Sequence, residues 1–212
     1  MYLEDVSFRS FYFCRRYKMK ISTRNLVIMA FLIAISVVLI YLIHFPIFPA
    51  APFLEYDPAD VPILIGTFAF GPLAGFIITV AAAGIQALTV SAQSGVYGFI
   101  MHVLGTSAAV VTAGLIYKKK HTRGGAAIAL LCGTLAHSLV MVVANHFVTP
   151  HFMGVPTSVV DGMLLPVILP FNLIKAGANA VITFLVYKTV SRYIIHGEKL
   201  FHSKQTDSAA KE

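Results

Sequence analysis

A chain of 212 residues that is 58% hydrophobic and 12% charged cannot clothe a soluble domain, whose surface needs about twice that share of charge. Its apolar residues come in long blocks separated by short polar breaks, the pattern of a chain whose solvent is mostly lipid. The net charge of +7 therefore calls for no nucleic acid, because the basic residues fall between the apolar blocks, where they set orientation in a membrane.

Residues 1–24 form a basic, aromatic leader without the apolar stretch of a cleaved signal. The leader has no packing pattern, which points to Met19 as an alternative start. Six spans are predicted to follow, near Leu26–Leu42, Val61–Phe70, Leu73–Ser91, Val96–Tyr117, Ala126–Phe147 and Leu165–Val190. Residues 25–192 thus read as an all-α integral membrane domain, a bundle of six transmembrane helices, with 193–212 as a polar tail. The second span is too short to cross alone, so it must be buried among neighbours or extended by the loop before it. Two long connections rich in apolar and aromatic residues, His44–Pro62 and His146–Pro166, read as outer loops folded back on the bundle as lids.

Charge fixes the orientation. With both termini cytoplasmic, the leader, the loop carrying Lys118, Lys119, Lys120 and Arg123, and the tail hold every Lys and Arg except Lys175. The outer loops carry only Glu55, Asp57, Asp60 and Asp161. This asymmetry supports a multi-pass protein of the plasma membrane.

Lys175 is the costly residue, because an ammonium inside a span needs a polar interior or a partner. Asn172, Lys175 and Asn179 recur at i, i+3 and i+7 and share one helical face. This stripe of two amides and an ammonium suits a solute rich in carbonyls and hydroxyls, or an anion. No carboxylate falls within a predicted span, so Lys175 is expected to have no acidic partner and to face a solute cavity opening outward. Asn145 at the outer end of the fifth span, Gln86 and Gln93 seven apart on the third, and Tyr97 at the start of the fourth add polar groups, most of them toward the same end.

Other chemistries lack their residues. His44, His102, His137, His146 and His151 show no metal-ligand spacing, and Cys14 and Cys132 form no disulfide framework. There is no nucleophile–base set and no phosphate-binding glycine loop, so the chain is expected neither to be an enzyme nor to hydrolyse ATP by itself. Small-residue pairs mark close helix contacts: Ala129 with Gly133 and Ala176 with Ala180 within the bundle, and Ala30 with Ala34 on a face open to a partner subunit.

Three segments carry a resemblance: Phe53-Leu54-Glu55-Tyr56-Asp57-Pro58-Ala59-Asp60-Val61-Pro62, Gly66-Thr67-Phe68-Ala69-Phe70-Gly71-Pro72, and Pro170-Phe171-Asn172-Leu173-Ile174-Lys175-Ala176-Gly177. Over roughly Thr23 to Arg192 the chain resembles the riboflavin-specific (RibU-type) S components of energy-coupling factor (ECF) vitamin transporters. The resemblance implies a subunit that binds its vitamin from outside and delivers it to the cytoplasm with a transmembrane coupling subunit and two ATPases. It implies riboflavin as transported ligand and no cofactor. It places Asn145, Asn172 and Lys175 at flavin-contacting positions, makes the first outer loop, with Leu54 and Tyr56, a gate, and makes Ala30 and Ala34 the docking motif for the coupling subunit. An S component for another vitamin or small polar solute, and a self-sufficient secondary transporter, remain the alternatives at this stage.

Overall fold

A computed structural model of the chain describes residues 22–49 and 51–187. Most of the leader, the alternative start at Met19 and the tail 193–212 lie outside the described residues. Helix α1 spans Thr23–Leu42, beginning three residues before the expected span because Ser22 caps it, its hydroxyl accepting the Asn25 N–H at 3.3 Å. The chain then forms two short antiparallel strands, β1 (Phe45–Pro46) and β2 (Glu55–Tyr56), with Phe45 opposite Tyr56.

Helix α2 (Asp60–Phe70) and helix α3 (Pro72–Leu88) are separated by one residue, Gly71, whose φ of +94° is open to glycine at little cost. Every residue of α2 from Asp60 to Phe68 is buried. This is the answer to its length: at about 1.5 Å per residue it is too short to face lipid at both ends, and its neighbours enclose it instead. Helix α3 ends at Leu88, so Gln93, in the turn that follows, is not on the helix face of Gln86. The expected shared face of those two residues is therefore corrected.

Helix α4 spans Gly95–Lys119 and helix α5 Arg123–Met153. The second expected outer loop is not a loop. Helix α5 runs through Pro150 in its last turns and stops at Gly154, which takes the left-handed conformation at φ +66°. Helix α6 starts almost at once, as Thr157–Met163, widens into a π-helical turn over Leu164–Ile168 around Pro166, and resumes over residues 169–187. Proline has no N–H to donate, and the wider turn absorbs the lost bond. In this turn Leu169 N–H reaches back to Leu164 O.

Among the described residues four helices are long and apolar enough to cross a membrane: Thr23–Leu42, Gly95–Lys119, Arg123–Met153 and the combined Thr157–Tyr187. Helices α2 and α3 are the shorter apolar pair. The larger apolar core gathers around Ile63, Ile78 and Val110, all fully buried. A second, smaller one caps the β1–β2 end, where Ala51 and Leu54 pack with Val160, Ile168 and Phe171. The first expected lid is thus found folded onto the bundle. At the opposite end Phe68 stacks on Tyr117 with ring centres 4.3 Å apart, and Tyr187 meets both rings edge-on.

Small residues set the helix spacing. Gly133 of α5 lies against Ala109 and Ala113 of α4. A Cβ on Gly75 would sit 2.1 Å from Thr67 Oγ1 and 2.6 Å from Val110 Cγ1, so α3 can approach α2 and α4 only without a side chain there. Gly75→Ala is expected to lower stability by about 1–3 kcal/mol. Gly124→Ala, where an added Cβ meets nothing within 4 Å, should leave it within about 0.5 kcal/mol. Thermal unfolding of the two variants in the same detergent checks the pair.

Candidate functional site

The site begins with Lys175. The expected open cavity is not what faces it. Its Nζ donates to Asp57 Oδ2 at 2.6 Å and to Glu55 O at 3.2 Å, the one just after β2 and the other within it, on the connection between α1 and α2 that carries both strands (the β1–β2 loop). The Lys175 and Asp57 side chains are 14% and 6% exposed. The expectation of no acidic partner is corrected, and the reason is energetic: a carboxylate supplied by a loop compensates a buried ammonium more fully than an unlined cavity could.

Asn179, one turn further along α6, completes the attachment. Its amide nitrogen donates to Asp57 O at 3.0 Å and lies 3.4 Å from Asp60 Oδ2. Its Oδ1 accepts the Tyr56 hydroxyl at 3.1 Å. Burial, then the neighbouring Asp57 carboxylate, pushes the Tyr56 phenol above its ordinary range, which keeps the proton it donates. Asp57 also accepts the Ala59 N–H at 3.0 Å, closing a tight turn into α2.

Asn172 is fully buried. Its nitrogen donates to Ile168 O at 2.8 Å, while its Oδ1 has no hydrogen-bond partner. The nearest donor to this oxygen is the imidazole of His137. Asn145 is equally buried but spends both ends on its own helix, donating to Met141 O at 2.7 Å and accepting from Thr149 Oγ1 at 2.8 Å. Gln86 serves another purpose. Its amide lies 3.5 Å from Ser36 Oγ, which donates to Ala59 O at 2.8 Å, so α3 and α1 jointly hold the end of the loop. Gln93 is exposed, and Tyr97 is 42% exposed with its ring against Phe152; the structure does not bring either to the Lys175 set. Leu54 lies buried in the apolar cap above it.

Sequence reasoning missed the inner half of the site. Asp60 was counted with the outer loops, yet it opens α2 and is 4% exposed. Its Oδ1 accepts from Thr106 Oγ1 at 2.8 Å and lies 3.7 Å from His102 Nε2. His137 is buried too. The readable signal was the spacing of His102 and Thr106, i and i+4 on α4, beside a helix too short to span. Asp60, Thr106, Thr134, His137 and Asn179 share a cavity of about 10 Å³, room for the centre of one water-sized sphere.

The remaining residues stand apart. Among the described residues no three His, Cys, Asp or Glu side chains are grouped to hold a metal ion. His146 pairs with Asp161 across the α5–α6 turn at 2.5 Å. Ala30 and Ala34 are exposed on α1, beside Phe31 and Ile35, which are also exposed.

Residues 24–187 match the family model described as ECF transporter, substrate-specific component. The chain is 28% identical over 177 residues to the riboflavin transporter RibU of Staphylococcus aureus (strain TCH60), covering 81% of this chain and 92% of that protein. It is 28% identical over 180 residues to the riboflavin transporter FmnP of Bacillus subtilis (strain 168), covering 81% and 94%. A solved structure described as the S component of a bacterial ECF transporter superposes with a TM-score of 0.70 at 30% identity, covering 80% of this chain and 96% of the other.

Breaking the Lys175–Asp57 pair from one side strands the other charge. Lys175→Met and Asp57→Asn are each expected to destabilise by about 3–5 kcal/mol. The double variant should cost clearly less than the sum, and a double-mutant cycle on thermal unfolding measures the coupling.

Proposed function

The chain belongs to the substrate-specific components of ECF transporters, and on that premise we propose that its ligand is riboflavin, taken up on the side where the β1–β2 loop lies. Relatives of this kind are transport components and not enzymes, and the four long apolar helices make the chain a multi-pass membrane protein. In this reading residues 25–192 are the substrate-binding unit, α1 to α6 supply six spans, and both termini and the Lys118–Arg123 turn face the cytoplasm of a plasma-membrane protein. Release into the cytoplasm then uses a transmembrane coupling subunit, which docks on the exposed Ala30 and Ala34 face of α1, and two ATPases.

The observation that carries the reading is the tether of Lys175 to a loop rather than to another helix. A loop can lift. When it does, Lys175, Asn179 and Tyr56 lose their present partners together, beside Asn172, whose Oδ1 makes no close hydrogen bond. The opened space would offer an ammonium, two amides and a phenol to the carbonyls and hydroxyls of a flavin, with Leu54 and Phe171 to cover its ring. The cavity beside Asp60 and Asn179, about 10 Å³, is far too small for such a solute, and in this reading the loop moves to admit it. Asn145, satisfied within α5, would flank the ligand and not anchor it.

The purified chain alone should quench the fluorescence of added riboflavin, and should not do so with a flavin-free vitamin of similar size. Asn172→Ala and Lys175→Ala should each weaken binding by about 1–3 kcal/mol. Undiminished binding in both would remove these residues from the site. Vesicles holding the chain without ATPases should take up no riboflavin beyond the bound equivalent; sustained uptake would favour a secondary transporter.

A further inference from the structure

Asn172 is held by its nitrogen, which donates to Ile168 O, the last carbonyl of the π turn, at 2.8 Å. An Asn side chain turns easily about its terminal torsion, so this bond fixes the nitrogen and leaves the amide plane free to rotate about it. Ile168 O can only accept, so the nitrogen stays on that side and Oδ1 faces away from it. A group that holds the plane must therefore reach the oxygen.

Helix α5 supplies that group. The chain turns back from α5 into α6 at Gly154, and Thr134 Oγ1 of α5 lies 3.5 Å from Ala176 O of α6. One helical turn nearer the link, Ser138 is level with Asn172, which puts His137 beside it. His137 also lines the same small cavity as Ala176, so its ring faces α6. Among the described residues, His137 Nδ1 and Asn172 Oδ1 are both buried without a close hydrogen bond. Buried polar atoms left unpaired are costly, and a bond between ring and amide relieves both residues. Helix α4 leaves the ring its room: a Cβ on Gly105 would lie 2.9 Å from His137 Cε1.

We propose that His137 is a positioning residue for the solute site, donating an imidazole N–H to Asn172 Oδ1 and so fixing the plane in which that amide meets its ligand. The inference rests on the reading of Asn172 as a solute-contacting residue; His137 acts through it. A neutral or a charged ring can serve, since each carries an N–H. With the ring in place, Asn172 points its remaining N–H and lone pair in a set direction. Without it the amide rotates, and the solute must order it on binding.

The first test needs no solute. In the nitrogen NMR spectrum of the full histidine-labelled chain in detergent, the His137 ring signals, assigned with His137→Leu, include an N–H and move when Asn172 is replaced by Ala. Signals that stay in place overturn the proposal. The second test is riboflavin binding, read by fluorescence quenching. His137→Leu keeps the bulk of the ring but has no donor, and should weaken binding about tenfold. His137→Asn and His137→Gln place an amide nitrogen where Nδ1 and Nε2 stood, and one of the two should restore binding to within about threefold. In the Asn172→Ala chain, His137→Leu should cost nothing further. An equal extra loss there, or no rescue by either amide, overturns the proposal and leaves His137 a packing residue. If His137→Leu does not fold, Gly105→Ala replaces it: this variant crowds the ring without removing its donor, and should weaken binding in the native chain but not in the Asn172→Ala chain. Failure of riboflavin to bind the unaltered chain sinks the reading of the site instead, and the spectrum still decides whether His137 holds Asn172.

Discussion

One ion pair organises the β1–β2 end of this molecule. Lys175 lies in a helix surrounded by apolar neighbours, and it is stable there because Asp57 comes to it at 2.6 Å. The carboxylate belongs to a loop, so the loop's position becomes a condition of the helix's own solvation. Asn179 and Tyr56 extend the arrangement, and the apolar cap of Ala51, Leu54, Val160, Ile168 and Phe171 excludes water above it. Excluding water strengthens the pair, and the pair in turn holds the cap in place. On the proposed function, a ligand that opens the loop must replace these interactions with its own, a strict chemical filter on what can enter.

The rest of the fold supports that filter from below. Helix α2 delivers Asp60 to the centre because it is enclosed by α1, α3, α4 and their small residues. The aromatic contacts of Phe68, Tyr117 and Tyr187 close the far end. Among the described residues the bundle is closed by rings at one end and by the loop that carries Asp57 at the other.

Much of this was legible in the chain. Long apolar blocks predict the long helices, and a helical i, i+3, i+7 stripe predicts that Asn172, Lys175 and Asn179 share a face. The shortness of α2 announces its burial. The partners of Lys175 were not legible by the same means, because Asp57 and Asp60 sit in a polar, proline-rich stretch that reads as a loop. Periodicity describes a helix's faces and says nothing of how a loop returns to them. The extent of α5 and α6 was misjudged for a related reason: Pro150 and Pro166 look like breaks, but one sits where the helix is already ending and the other is absorbed by a wider turn. Gln93 was misplaced because α3 stops at Leu88, five residues before it.

That wider turn has a consequence for the whole β1–β2 end of the bundle. A π turn holds one residue more than an α turn needs, so it works as an inserted phase shift between the opening of α6 and the stretch bearing Asn172, Lys175 and Asn179. With one residue fewer at Leu164–Ile168, the two stretches would rotate against each other by about 100°. The opening is fixed by the tight link to α5 and by Val160 in the cap, so the rotation would fall on the polar stripe. Lys175 would then swing off the loop toward lipid. The helical irregularity at Pro166 is what keeps the ammonium in register with its carboxylate.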